Sequence, residues 1–189
     1  TVYMSPDEEP LTDEEKWKVE LVMRTTLSFV SRNRLRDIVE ELAYFDEAGY
    51  PNLRSFNNYL MRVINTGEIY GKAAFRYNLQ HFALINHEFG KEAGDAIIQE
   101  HFNTVKRLCG QEGFVARLGG DNFVGVCTGE NLEKVLEYLS GAKVAVADRS
   151  FVNLQTSTGV FVISDDYEIA APGDIFGRII SAYNYARGG

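Results

Sequence analysis

RLGGDNFVGV, residues 117–126, restricts the fold more than any other stretch of this chain. Two glycines, an acid and an amide stand between runs that alternate like strands. The chain must therefore reverse there in a tight turn, and glycine supplies the positive φ values such turns need. Two antiparallel strands are thereby placed side by side in the middle of the sequence. Residue types alone support two roles for the turn: a plain hairpin closure, or a bared backbone that lets a phosphate or a metal ion come close.

Strands and helices alternate around this hairpin. Thr12 opens a T-D-E-E box with Glu15 placed to reach back to the cap, and a stretch free of Gly and Pro runs on to about Phe45. That is one long helix or two in tandem. Its Leu35, Ile38, Leu42 and Phe45 follow the three-four spacing of a coiled-coil seam, whereas the same register carried backwards meets Ser31, Ser28 and Arg24. Helix pairing is expected only near the C-terminal end, with packing on the following domain as the alternative. EAGYPN (47–52) is a turn cluster, and Leu53, Phe56, Leu60 and Ile64 then give a helix that ends at Gly67. KAAFRYNLQ (72–80) alternates as a strand, burying Phe75, Tyr77 and Leu79 and leaving Arg76, Asn78 and Gln80 on the other face.

A helical pattern from Phe82 to about Leu108 is interrupted at Gly90 and Gly94, and FVARL leads as a strand into the turn, which Phe123–Cys127 leaves. A helix over Leu132–Leu139, strands from about Val144 and over Leu154–Ser164, and a helix over Asp174–Arg187 complete the pattern. Together these predict an α/β (α+β) sandwich: a central mixed β-sheet flanked by helices, the hairpin at one edge and a long helix in front.

With 189 residues, 45% of them hydrophobic, the chain can bury a substantial core. A net charge of -8 argues against a nucleic-acid face, and Arg32, Arg34 and Arg36 are expected on a solvated helix surface. No apolar run is long enough to span a bilayer and no signal peptide opens the chain, so a cytoplasmic domain without membrane contact of its own is expected. Cys109 and Cys127 make no disulfide framework and read as small buried hydrophobes. His81, His87 and His101 lack the i, i+4 spacing of metal ligands and are expected solvated or hydrogen-bonded.

Several ordered motifs resemble the GGDEF family, the diguanylate cyclase domains that condense two GTP into cyclic di-GMP. GGDNF (119–123) looks like the signature hairpin, and NLQHFALINHEFGKEAGD (78–95) is similar to D-x-D-x-F-K-x-I-N-D-x-x-G-H-x-x-G-D, with Phe82, Ile85, Asn86, Gly90, Gly94 and Asp95 in place. FDEAGYPNLRSF (45–56), STGVFV (157–162) and the AYNYARGG tail add to the resemblance, which divides the chain into an acidic linker with a signalling helix (1–43) and a degenerate GGDEF domain (44–189). It implies a nucleotide-cyclase-like fold.

In such a domain the hairpin holds a divalent metal and activates a ribose hydroxyl for attack on a phosphate, work that needs carboxylates. The resemblance puts Asp121 at the catalytic and metal position, Asn122 where the next acid belongs, and Asn78 where a metal aspartate ends the first strand. It also puts Ala83 at a phosphate lysine and His87 at an aspartate. Losing two carboxylates, at roughly several kcal/mol each, should lower turnover by orders of magnitude.

Nucleotide-binding positions fare better: Asn86 and Asp95 match the guanine contacts, with Phe82, Gly119, Gly120 and Arg187 as further binding positions and Mg²⁺ held weakly if GTP binds. The product-inhibition motif R-x-x-D falls on Gly110-Gln111-Glu112-Gly113, where both charges are missing. The resemblance thus implies a catalytically silent, GTP-binding regulatory or dimerising module of a larger protein, with an upstream sensor, a downstream EAL phosphodiesterase domain and a possible homodimer. An active cyclase and a protein-interaction domain with an empty pocket are the alternatives.

Overall fold

The computed structural model describes residues 10–145 and 151–188. The first nine residues of the acidic linker lie outside them. The chain divides into two compact units, Thr1–Ala43 and Tyr44–Gly189.

The first unit is essentially one helix, α1 (Asp13–Tyr44), continuous rather than two in tandem. Its start is set by the box read from sequence: the Thr12 N–H and hydroxyl both donate to Glu15 Oε2, at 2.8 and 2.7 Å, and the Glu15 N–H donates back to Thr12 Oγ1 at 3.3 Å. Intrahelical pairs Lys18–Glu14 and Arg24–Glu20, at 2.6 and 2.7 Å, line its early turns. Taken by itself α1 buries none of its residues, and Leu35, Ile38 and Leu42 of the expected seam are exposed.

In the second unit, Asn52 caps α2 (Leu53–Asn65), its side chain accepting from the Arg54 and Ser55 N–H groups. Then come β1 (Lys72–Gln80), α3 (Phe82–Phe89), α4 (Lys91–Cys109), β2 (Phe114–Gly119), β3 (Asn122–Thr128), α5 (Gly129–Ser140), β4 (Ala142–Ala145), β5 (Phe151–Val162) and α6 (Pro172–Gly188). The sheet order is β2-β3-β1-β5-β4, which puts the hairpin at one edge as expected.

Every described ladder is antiparallel, so the expected mixed sheet is corrected to an antiparallel one. The reason lies in where the crossovers land. β1 and β2 run in the same direction, joined through α3 and α4 as a parallel pair would be, but β3 folds back between them. β5 likewise separates β4 from β1.

Central strand β1 is covered on both faces. Phe75, Tyr77 and Leu79 pack with Ile97, Phe102 and Val105 of α4 and Val135 and Leu139 of α5. Ala74 shares the opposite core with Phe56 and Leu60 of α2 and with Ile175 and Ile179 of α6. A Cβ on Gly159 of β5 would sit 2.2 Å from the Tyr183 backbone nitrogen, so α6 lies directly on that strand. This close approach fixes α6 over the middle of β1, where Gly159 stands opposite Arg76. Cys109 and Cys127 are free and buried, as read from sequence.

Candidate functional site

The C-terminal end of β1, the hairpin and the last turn of α6 meet around an open cleft of about 540 Å³ lined by Asn78, Gln80, His81, Asp121, Asn122, Ser157 and Arg187. Register explains the convergence, because Asn78 stands opposite Asn122 on β3 and Ser157 on β5. The hairpin turns through Gly119 at φ 122° and Gly120 at φ 56°, both in the region that favours glycine. One backbone oxygen ties the turn to the central strand: the Leu79 N–H donates to Asp121 O at 2.9 Å and Asn78 Nδ2 to the same oxygen at 3.3 Å. Gln80 Nε2 donates to the Ser157 hydroxyl.

Arg117, a residue the sequence pattern does not single out, braces the hairpin from the strand before it. Its Nε donates to Gly120 O at 2.8 Å, its guanidinium stands 3.8 Å from the Asp46 carboxylate, and it lies over the Tyr50 ring at 5.0 Å. A basic residue placed just before a glycine turn was the available signal. From the core side, Phe123 stacks on Tyr77 at 5.0 Å, and His101 packs edge-on against both rings. Burial holds the His101 imidazole neutral, with its pKa lowered to about 4, while Nδ1 pairs with the Tyr138 hydroxyl at 3.1 Å.

Asp121 brings the only carboxylate to the cleft lining among the described residues, and its Oδ1 already accepts from Asn122 Nδ2 at 3.0 Å. Asn78 turns its amide NH₂ toward the hairpin carbonyl. Among the described residues no group of three or more His, Cys, Asp or Glu side chains could hold a metal ion. A hard divalent cation wants several oxygen ligands, including one or two carboxylates beside substrate phosphates, and this donor set does not fit one well.

The expected guanine contacts lie apart from that lining. Gly90, at φ 85°, breaks the helical run into α3 and α4, so that Asn86 on the first can fold back on Gly94 of the second. A Cβ at Gly94 would stand 1.8 Å from Asn86 Oδ1 and 3.6 Å from Phe82 Cε1. Glycine at this position, one residue before Asp95 on α4, is therefore what leaves room for the Asn86 amide. Both Asn86 and Asp95 are exposed, whereas Phe82 is buried in the core beneath them.

His81 and His87 are exposed, and His81 adopts φ 57° where β1 passes into α3. In the turn at the R-x-x-D positions, a Cβ on Gly113 would meet Cys109 Cβ and the Cys109 carbonyl at 2.6 Å and Val126 O at 2.8 Å, so this backbone leaves no room for an aspartate.

Residues 44–171 match the family described as "Diguanylate cyclase, GGDEF domain". Over 96 residues the chain is 30% identical to the signaling protein YkoW of Bacillus subtilis (strain 168), a stretch that is 49% of this chain and 12% of YkoW. Among solved structures, a sensory box/GGDEF family protein from Caulobacter crescentus CB15 is similar with a TM-score of 0.61 at 26% identity, covering 77% of this chain and 99% of that one. The coiled coil and GGDEF domain of DgcB from Caulobacter crescentus, in complex with c-di-GMP, is similar in fold at 0.63 and 20% identity, covering 89% and 95%. The chain belongs to the GGDEF domain family, the diguanylate cyclase family of cyclic di-GMP signalling. Among the described residues no helix is long and apolar enough to cross a membrane.

Proposed function

We propose that this chain is a regulatory GGDEF domain that binds GTP and has lost the turnover of its family. The observation that carries the proposal is the cleft itself. Asp121 is its single carboxylate among the described residues and is already hydrogen-bonded to the amide that replaces the neighbouring acid, while Asn86 and Asp95 remain exposed and adjacent to Gly94. An exposed amide and an exposed carboxylate on neighbouring helices offer complementary donors and acceptors to the edge of guanine, and Arg187 offers a cation to phosphates.

Apolar residues exposed along α1, Leu35, Ile38 and Leu42 among them, support pairing of two copies through that helix. A sensor before this chain, an EAL phosphodiesterase domain after it and a cytoplasmic setting belong to the same proposal.

The test is incubation of concentrated protein with GTP and Mg²⁺, then Mn²⁺, with chromatographic separation of the nucleotides. Unchanged GTP together with measurable GTP binding is the expected result. Formation of cyclic di-GMP that disappears in Asp121→Ala would make the domain an active cyclase and overturn the proposal.

A further inference from the structure

Arg76 has no place in the chemistry described so far. It lies on the middle of β1, with Val124 opposite on β3 and Gly159 opposite on β5. Its guanidinium carbon stands 4.7 Å over the ring of Tyr183, which is itself buried on α6. Its Nε is buried without a hydrogen-bond partner, and among the described residues no carboxylate pairs with the guanidinium. A half-buried cation without a counter-ion costs stability, so a bound anion nearby would be strongly favoured.

Two periodicities place this cation directly behind the cleft. Asn78 follows Arg76 by two residues on the same face of β1, a step of about 7 Å along a strand. Arg187 follows Tyr183 by four residues, one turn further along the same face of α6. Arg76 and Tyr183 thus form the layer beneath Asn78 and Arg187, both of which line the cleft. The lining itself carries one carboxylate, Asp121, and one guanidinium, Arg187, and Arg76 tips the local balance positive. A positive site lined by amides and a hydroxyl suits a polyanion and opposes a divalent cation. His81, on the rim, leaves the N-terminus of α3 without a side-chain cap facing this region, which adds to the same polarity.

We propose that the cleft takes the phosphate end of a nucleotide without a divalent metal, Arg76 and Arg187 supplying the positive charge that an ion would otherwise bring. The inference rests on the GTP-binding proposal above for the identity of the base. Its own content, metal-free polyphosphate recognition, is separable from that identity.

Calorimetric titration of the protein with GTP and with inorganic tripolyphosphate, each in EDTA and in excess Mg²⁺, tests both. The expected result is binding of both probes in EDTA, with Mg²⁺ leaving affinity unchanged or lowering it by partly neutralising the polyanion. Arg187→Met should weaken tripolyphosphate binding about tenfold, the size expected when one charged hydrogen-bonding partner is lost, and Arg76→Met, which removes a charge beneath the lining, should weaken it by a smaller factor, a few-fold. Arg76→Lys should retain most of it. Arg187 is exposed near the end of α6, so its variant reports on binding even if Arg76→Met is poorly folded.

Binding of GTP only with Mg²⁺ would overturn metal-free recognition and leave the GTP proposal intact. Tripolyphosphate bound in EDTA with no added affinity for GTP would do the reverse. Neither probe bound under either condition would overturn both.

Discussion

Two parts of this domain offer a ligand opposite things on equally well-defined backbones. Around Gly94, on α3 and α4, Asn86 and Asp95 stand exposed, and the Asn86 amide lies where only glycine leaves it room. Around the hairpin, on β1 and β3, the backbone is equally well kept. Gly119 and Gly120 hold their positive φ values and Arg117 braces the turn, while amides, Asn78 and Asn122, stand beside the single carboxylate that lines the cleft among the described residues. On the proposed reading scaffold and chemistry are separable here: a hairpin shape persists with few of the charges that metal-assisted chemistry would use. An amide matches a carboxylate in size and in much of its hydrogen bonding, so such replacements disturb the fold little and the metal chemistry a great deal.

The strongest way to break the comparison is to return the charges to the kept scaffold. Asn78→Asp with Asn122→Glu, combined with Arg76→Leu to remove the opposing cation, should raise cyclic di-GMP formation in Mg²⁺ by about 10²-fold or more over the parent, as recovered electrostatic stabilisation of a transition state would. Chromatography of the nucleotides reads it directly. If the triple variant binds GTP and stays silent, something beyond the missing acids separates this domain from its catalytic relatives.

A second prediction asks whether the two parts stand on one support. His101 lies on α4, the helix that carries Asp95, and packs against Phe123 of the hairpin strand. Its pKa is lowered to about 4 by burial, below the ordinary value near 6.5, so between those values the unfolded chain binds a proton that the native state refuses. Stability therefore rises with pH across that window and is lost on acidification, by about 3 kcal/mol in all, with the slope vanishing below about pH 4. Denaturant unfolding at a series of pH values measures it, and His101→Phe should flatten the curve between pH 6.5 and 4. A slope that persists in the variant would assign the acid sensitivity elsewhere.

How much of this was legible in the sequence depends on the range of the interaction. Local signals gave the Thr12 box, the Asn52 turn, the 72–80 strand and the glycine hairpin, because caps, alternation and turns are written within a few residues. Strand direction was not local: the helical crossovers suggested parallel neighbours, and only the insertion of β3 and β5 beside β1 made every described ladder antiparallel. The ordered motifs located the cleft residues Asn78, Asp121, Asn122 and Arg187, which the structure does bring together. They could not reveal Arg76, whose meaning depends on a helix more than a hundred residues later laying Tyr183 over it. Burial of His101 among Tyr77, Phe123 and Tyr138 is likewise a tertiary fact, since one histidine on a helix looks the same in sequence whether it faces water or the core.

The smallest expected effect is the sharpest probe of the part that was kept. Gly94→Ala would drive a methyl group to 1.8 Å from Asn86 Oδ1 and 3.0 Å from its Cγ, while Phe82 stays at ordinary contact distance. The obstacle is the far end of an exposed, rotatable side chain, so Asn86 swings away at little cost to folding, and alanine is the better helix former at an interior position of α4. Thermal stability should change little, and tripolyphosphate affinity, read at the cleft, should not change at all. GTP affinity alone should fall, by about tenfold, the equivalent of roughly one good hydrogen-bonded contact to the base. Equal losses for both probes would mean that Gly94 serves the scaffold as a whole, and the proposed division between a base-recognition surface at Gly94 and a phosphate cleft at the hairpin would have to be given up.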